Sequence, residues 1–273
     1  MSDILVIVAF LAFTLFIFVR RYARYLAITG WSCIVLNLIL DLPAFFAATN
    51  FLYPALALLA IPFLAITISR LLREDPVVLR LSTTAAVATL IFVPFALVPA
   101  LRDALIGIVI NQVFTIVTAL GYHPAWYAWD IIVENGFYNQ IILGCTGILA
   151  IAMVAGVIAG VPCATIQKKV AVILPVALLL FVLNLFRVAG VFIAVSNHWF
   201  DALPDPTGTG DANFFWAHNV IAEALAILFL IALIAGLCRV LPGLWEYARD
   251  VVMIYRGDLF SFFRRSGPQS RRP

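Results

Sequence analysis

Charged side chains are scarce in this chain. Asp, Glu, Lys and Arg make up 11% of its 273 residues, whereas hydrophobic residues make up 64%. A water-soluble protein of this size needs far more charged residues to cover its surface. The composition therefore excludes a soluble globular domain. Long apolar runs recur instead, and about 20 residues in a helix cross a bilayer core of about 30 Å. The sequence predicts an all-α, polytopic integral membrane bundle.

The sequence also lacks the spacing patterns of common cofactor sites. It has four cysteines and three histidines, and none of them falls at metal-ligand spacing. There is no glycine-rich phosphate loop and no nucleic-acid-binding motif. Cys33, Cys163 and Cys238 are expected to be small apolar fillers. We therefore expect no cofactor, no metal, no disulfide framework and no nucleic-acid partner.

Seven hydrophobic segments are predicted to cross the membrane. They are, approximately, 4–19, 25–42, 51–69, 81–101, 137–161, 170–195 and 214–237. The stretch around 104–130 is less regular, because Asn111 and Gln112 interrupt it and aromatic residues cluster near its end. Aromatic clusters are typical of the membrane–water boundary, which predicts an interfacial or re-entrant element there. We expect one membrane-embedded domain over 1–260, with its catalytic half at 130–240, and a basic cytoplasmic tail at 261–273.

The basic residues predict the orientation of the chain in the cell membrane. If the N-terminus lies outside, all of the 17 Lys and Arg except Arg102 and Arg187 belong to the cytoplasmic side or its helix ends. Cytoplasmic loops of membrane proteins carry such an excess of basic residues. Most acidic residues, Asp211 in the loop before the last segment among them, then fall outside. The C-terminus is predicted to be cytoplasmic.

Three candidate site residues are predicted to share one depth in the outer half of the membrane. At a rise of about 1.5 Å per residue, Cys145 lies about 12 Å below the predicted outer boundary, Arg187 about 13 Å and His218 about 7 Å. A thiol in an apolar site is a poor nucleophile unless a base or a cation stabilises its thiolate. His218 can accept and return a proton. Arg187 can stabilise a thiolate or an oxyanion.

Structural interpretations of the same residues are also open. Cys145 can be a filler whose neighbours Gly144 and Gly147 allow close helix packing. His218 can reach the interface from a helix end.

Arg187 is harder to explain structurally, because a guanidinium inside a membrane costs at least about 2.5 kcal/mol unless it is paired. A structural pairing with Asn184 or Glu223 is one explanation. For the whole chain, the alternatives to an enzyme are a transporter that uses Arg187 and Glu223, and a non-catalytic membrane assembly protein.

Three short motifs on successive segments resemble the exosortase/archaeosortase family. They are Cys145-Thr146-Gly147, Asn184-x-x-Arg187 and His218 near the start of the next segment. The similarity extends over roughly 136–258. It implies that Cys145 is the nucleophile, Arg187 the conserved arginine of the family and His218 the third residue, where some members carry arginine. Asn184, Thr146 and Asn219 are the expected supporting residues.

The resemblance implies a membrane cysteine protease-transpeptidase. Enzymes of this kind cleave a C-terminal sorting signal, made of a short motif, a transmembrane helix and a basic end, from exported surface proteins. In one archaeal branch the motif is Pro-Gly-Phe, and surface-layer glycoproteins are typical substrates. The expected partners are therefore membrane-anchored substrate proteins and a membrane phospholipid that accepts the new C-terminus.

Overall fold

The computed structural model describes residues 2–43, 52–162, 164–206, 208 and 212–265. The chain forms two compact units. The first comprises Met1–Val93, Ala155–Lys169 and Leu241–Pro273, and the second comprises Pro94–Val154 and Val170–Val240. The single domain expected over 1–260 stays a prediction. Cys163, Asp211 and residues 266–273 of the expected basic tail lie outside the described residues.

Helices dominate the described part of the chain. They are α1 (Ser2–Phe18), α2 (Ala23–Leu40), α3 (Leu52–Leu72), α4 (Pro76–Leu97), α5 (Pro99–Ala119), α6 (Ile148–Gly160), α7 (Ile166–Ser196), α8 (Ala212–Val240) and α9 (Gly243–Arg265). Six helical stretches in the described residues are long and apolar enough to cross a membrane: Arg20–Leu40, Pro54–Leu72, Pro76–Leu97, Pro99–Ala119, Ile166–Ser196 and Ala212–Val240. The polytopic helical membrane fold is confirmed. The number of crossings and the positions of the termini stay predictions.

The boundary between α4 and α5 differs from the predicted segment 81–101. Val98 has an extended backbone (φ −101°, ψ 105°) and Pro99 opens α5. A residue before proline is disfavoured in the α conformation, and proline at a first helical position loses no hydrogen bond. Asn111 does not interrupt α5, because its side-chain amide donates to the Gly107 carbonyl of the same helix at 2.6 Å.

A small antiparallel sheet follows α5 and replaces the start of the predicted helix at 137–161. Its strands are β1 (Ala125–Ala128), β2 (Ile131–Glu134) and β3 (Phe137–Gln140), in the order β1-β2-β3. Asn135 and Gly136 join β2 to β3 with positive φ angles of 50° and 81°. An Asn-Gly pair favours this tight hairpin turn. Only Ile148–Gly160 of the predicted segment is an α-helix.

The sheet packs into the core of the second unit. Buried side chains of α5, β2 and α7 form this core, namely Val109, Ile110, Val113, Val117, Ile132, Val188 and Phe192. In the turn between β2 and β3, the Asn135 side chain donates to the Ser196 carbonyl at the end of α7 (3.0 Å). The C-terminal end of α5 and the sheet therefore lie at the same end of the second unit as Ser196.

The first unit has its own aromatic core. Phe13 of α1 is fully buried and meets the Trp31 ring of α2 edge-to-face, with centroids 5.8 Å apart. Gly30 makes this approach possible, since a Cβ there would lie 2.7 Å from the Phe13 ring. On α9, Asp258 accepts two hydrogen bonds from Arg70 of α3, at 2.6 and 2.7 Å. These bonds hold the pKa of Asp258 below its ordinary value, so the pair stabilises the packing of α9 at neutral pH.

Candidate active site

Cys145 lies in a one-turn 3₁₀ helix, Leu143–Thr146, and not inside a long α-helix as predicted. Its backbone N–H donates to the Ile142 carbonyl at 2.8 Å, and its side chain is half-buried. Because 137–140 is a strand, the depth counted along a helix from Phe137 does not apply. The thiol has no hydrogen-bond partner among the described residues and is a free cysteine.

Thr146 and Gly147 shape the connection from this turn into α6. Thr146 is buried, its hydroxyl donates to the Leu143 carbonyl at 2.7 Å, and it accepts a bond from the Ile148 N–H at 3.4 Å. Gly147 has a φ of +77°, which favours glycine. A Cβ at this position would also lie 3.0 Å from Asn184. Two independent reasons therefore require glycine in the Cys-Thr-Gly motif.

Asn184 connects the first motif to the second. Its side-chain amide donates to the Cys145 carbonyl at 2.8 Å, so a side chain of α7 fixes the backbone that carries the thiol. Arg187 follows Asn184 by three residues and therefore lies on nearly the same face of α7. The Asn-x-x-Arg spacing thus presents one residue to the cysteine turn and a guanidinium close beside it.

Arg187 meets His218 across the second unit. Its Nη2 lies 3.4 Å from the His218 Nε2, and the His218 Nδ1 lies 2.8 Å from the Asn219 Oδ1. A guanidinium can only donate, so Nε2 must be the accepting nitrogen in this contact. The proton then sits on Nδ1 and is donated to Asn219. In this tautomer, Asn219 accepts from the ring and orients it.

His218 lies in an unusual helical segment. Residues Phe215–Ala222 of α8 form a π-helix, and Glu223–Val240 continue it as an α-helix. The Phe214 ring stacks on the imidazole with centroids 5.0 Å apart. Such π segments occur frequently at functional sites. The sequence predicted a helix from Phe214 onward but gave no sign of this widening.

Asn213 fixes the start of α8 against the end of α7. It is buried, and its amide donates to the Val195 carbonyl at 3.0 Å while its Oδ1 accepts from the Phe200 N–H at 3.1 Å. The bond to Val195 joins the two helices that carry Arg187 and His218. Sequence reasoning missed Asn213, because a single asparagine beside a polar loop has no distinctive pattern.

Glu223 is not joined to Arg187 or to His218. No hydrogen bond or ion pair of its side chain is present among the described residues, and the residue is exposed. Arg187 pairs with His218 instead, and Asn184 pairs with the Cys145 carbonyl. The predicted structural pairing of Arg187 with Asn184 or Glu223 is therefore absent from the described contacts. Within the same residues, no three His, Cys, Asp or Glu side chains form a group that could hold a metal ion.

Two cavities flank the cysteine turn in the second unit. A smaller one, about 420 Å³, is lined by Arg102, Trp129, Asp130 and Gly144. A larger one, about 1430 Å³, is lined by Gly147, Arg187 and Glu223 together with apolar residues of α7 and α8. Gly144, just before Cys145, thus lines the smaller cavity, and Gly147 of the Cys-Thr-Gly motif lines the larger one.

Comparison with known proteins finds two relatives with the same name. Archaeosortase A of Haloferax volcanii is 26% identical over 219 residues, which cover 68% of this chain and 70% of the relative. Archaeosortase A of Natronomonas pharaonis is 29% identical over 209 residues, which cover 66% of this chain and 64% of the relative. The matched region thus spans about two thirds of each relative's length.

No family model matches the chain, and no solved structure does. The two relatives support a sortase-like membrane processing enzyme as the broad class of activity. These two matches support an assignment of the chain to the exosortase/archaeosortase family.

Proposed function

We propose that this protein is a membrane cysteine protease-transpeptidase. It cleaves the C-terminal sorting signal of exported surface proteins and transfers the new C-terminus to a membrane lipid. One observation carries the proposal: Asn184 bonds the Cys145 carbonyl at 2.8 Å while Arg187, three residues later, contacts His218 at 3.4 Å. A single face of α7 therefore links the turn that bears the thiol with the imidazole.

In the first half-reaction, the Cys145 sulfur attacks the scissile carbonyl of the substrate. The thiol proton passes to the His218 Nε2, the nitrogen that carries no proton in the resting contact with Arg187. The Arg187 guanidinium stabilises the oxyanion of the tetrahedral intermediate. The C–N bond then breaks, the imidazolium returns its proton to the amine, and the substrate's transmembrane segment leaves. A thioester on Cys145 remains.

In the second half-reaction, an acceptor resolves the thioester. A hydroxyl or amine of a lipid headgroup attacks the thioester carbonyl, its proton passes to His218, and the thiol of Cys145 is restored. The cavity beside Gly144 gives such an acceptor a route to the turn that differs from the larger cavity. Hydrolysis by water would release a free acid by the same steps.

The predicted orientation supports a site toward the outer face of the cell membrane. A substrate with a basic cytoplasmic end would insert with its signal motif on the outer side. The end of α7 at Ser196 and the start of α8 are predicted to lie on the same side. Substrate and enzyme would therefore present their reacting groups to the same leaflet.

The test uses a co-expressed reporter with a Pro-Gly-Phe motif, an apolar helix and a basic end. We expect Cys145→Ala to abolish cleavage of this reporter, whereas the matched variants Cys33→Ala and Cys238→Ala retain it. Mass spectrometry of the processed reporter should then show a lipid on the new C-terminus. Cleavage that persists in Cys145→Ala would refute the assignment of Cys145 as the nucleophile. A new C-terminus that is only a free carboxylate would refute lipid transfer.

The transporter alternative has one observation in its favour, since Arg187 and Glu223 line the same cavity. It predicts that variants of these two residues impair uptake or efflux of a solute while Cys145→Ala does not. A transporter would not cleave the reporter, so the reporter assay separates the two functions.

A further inference from the structure

The larger cavity of the second unit is a long, open-sided groove. Its walls extend along α7 from Ala171 to Ala194 and along α8 from Ala217 to Val240. Each wall covers 24 positions, or about 35 Å at 1.5 Å per residue. Several lining side chains, such as Leu179, Leu225 and Leu230, keep 42–50% of their surface exposed. The groove thus has the length of a membrane crossing and an unfilled side.

Small residues on both walls leave room for another helix. They are Gly190 and Ala194 on α7, and Ala222, Ala226, Ala232 and Gly236 on α8. Transmembrane helices pack closely where small residues let their backbones approach. No heavy atom other than near neighbours in the chain would lie within 4 Å of a Cβ at Gly190 or Gly236. The space beside these two positions is therefore open.

Polar groups occur at only one part of this groove. Asn184, Arg187 and Glu223 line it near the cysteine turn, and the remaining lining residues are mostly apolar. Glu223 has no hydrogen-bond or ion-pair partner within the described chain and lies about 7 Å beyond His218 along α8. A carboxyl group that faces lipid tails is costly. The natural occupant must therefore supply hydrogen-bond donors at that level.

The first turn of a helix supplies such donors. The first four N–H groups of an α-helix have no partner within the helix, and they carry a partial positive charge that favours a carboxylate. A lipid acyl chain of the same length has no polar group at that level. The groove therefore fits an apolar helix whose N-terminal end lies beside Glu223 better than it fits lipid.

We infer that this groove receives the transmembrane helix of the substrate's sorting signal, with the N-terminal turn of that helix at Glu223. This inference rests on the proposed function, since it identifies the occupant as part of the sorting signal. The scissile peptide precedes the helix and then lies beside Arg187 and Cys145. The groove beyond Glu223 holds the helix, and the cysteine turn acts on the chain segment that precedes the helix.

Gly236→Phe tests the groove without touching the reacting groups. Gly236 lies about 20 Å along α8 from Glu223, and a side chain there enters open space. We expect the variant to fold normally and to process the Pro-Gly-Phe reporter about tenfold more slowly or worse, because a bulky group must clash with the incoming helix. Gly107→Phe is the matched control: it lies in an apolar helix of the same unit, also faces open space, and does not line the groove.

A second measurement separates this inference from the proposed chemistry. A photo-crosslinking residue at Leu233, within the groove, should capture the helix of the reporter in cells, even when Cys145 is replaced by Ala. The same residue at Ile108 of α5 should not. If the reporter is crosslinked but the native chain does not cleave it, the docking site is supported and the proposed protease activity is refuted.

The opposite results would overturn the inference. These are normal processing by Gly236→Phe, or crosslinks from Leu233 to lipid only while the reporter is still cleaved. In that case the reporter helix docks elsewhere and the groove is a lipid-facing surface.

Discussion

His218 makes three contacts, each of which constrains its ring. Arg187 donates toward Nε2 at 3.4 Å, Asn219 accepts from Nδ1 at 2.8 Å, and Phe214 stacks on one face. A histidine that served only as a hydrogen-bond partner of Arg187 would not need its second ring nitrogen to be oriented as well. The contacts suit a side chain that must hold one nitrogen free of its proton in a fixed direction.

His218→Gln separates a proton-transfer role from a structural one. The glutamine amide oxygen can still accept from Arg187, but it cannot carry a proton between thiol and leaving amine. We expect a loss of about a hundredfold or more in the rate of reporter cleavage, with unchanged expression and melting temperature. Near-normal cleavage by His218→Gln would instead assign His218 a positioning role for Arg187.

The candidate site residues could be chosen from the sequence, but their contacts could not be predicted. Chemical type and order along the chain singled out Cys145, Arg187 and His218, since ionisable groups are rare in membrane segments. Asn184 was expected only as a supporting residue, and its bond to the Cys145 carbonyl required the fold. A side chain three positions before Arg187 can face many partners, and the sequence does not say which.

Among the elements, the long helices were predictable because their apolar runs match a bilayer. The hairpin was not, since its strands have four residues each and their apolar side chains continue into the run of α6. Its one local signal was Asn135-Gly136, a strong turn pair. The π segment has no sequence signature, because it arises from one extra residue in an otherwise regular helix.

Deletion of Val220 tests whether the π segment positions His218. Removing one residue from the π-helix should restore ordinary α geometry, which changes the spacing and direction of His218 relative to the rest of α8. We expect loss of reporter cleavage while the helical content, measured by circular dichroism, is unchanged. Val220→Ala, which keeps the residue count, is the control and should remain active. Cleavage by the deletion variant would show that the widened helix is dispensable.

The whole molecule raises the question of how α5 lies relative to the membrane. It is long and apolar enough to cross a membrane, but its contacts in the second unit favour another position. Its first turns lie beside the cysteine turn, since Arg102, Ile106 and Gly144 line one cavity, and its last turns pack on the sheet that bonds Ser196. Thus α5 runs beside the half of α7 that ends at Ser196, and the interfacial element around 104–130 stays a prediction.

This arrangement predicts that α5 does not cross the membrane. The loop after α5 and the loop after α7 would then face the same, outer side, as the seven-crossing prediction with an outer N-terminus requires. The measurement is labelling of single cysteines in intact cells with a membrane-impermeant maleimide, in a chain whose native cysteines are replaced. We expect His123→Cys and Ala202→Cys to react from outside and Arg73→Cys to react only after the cells are opened. If α5 crossed, α6 and α7 would still keep His123 and Ala202 on one side, but it would be the side of Arg73, and all three cysteines would react alike. Reaction of both places the cysteine turn, the hairpin and the outer end of α7 on the side where the exported substrate presents its signal.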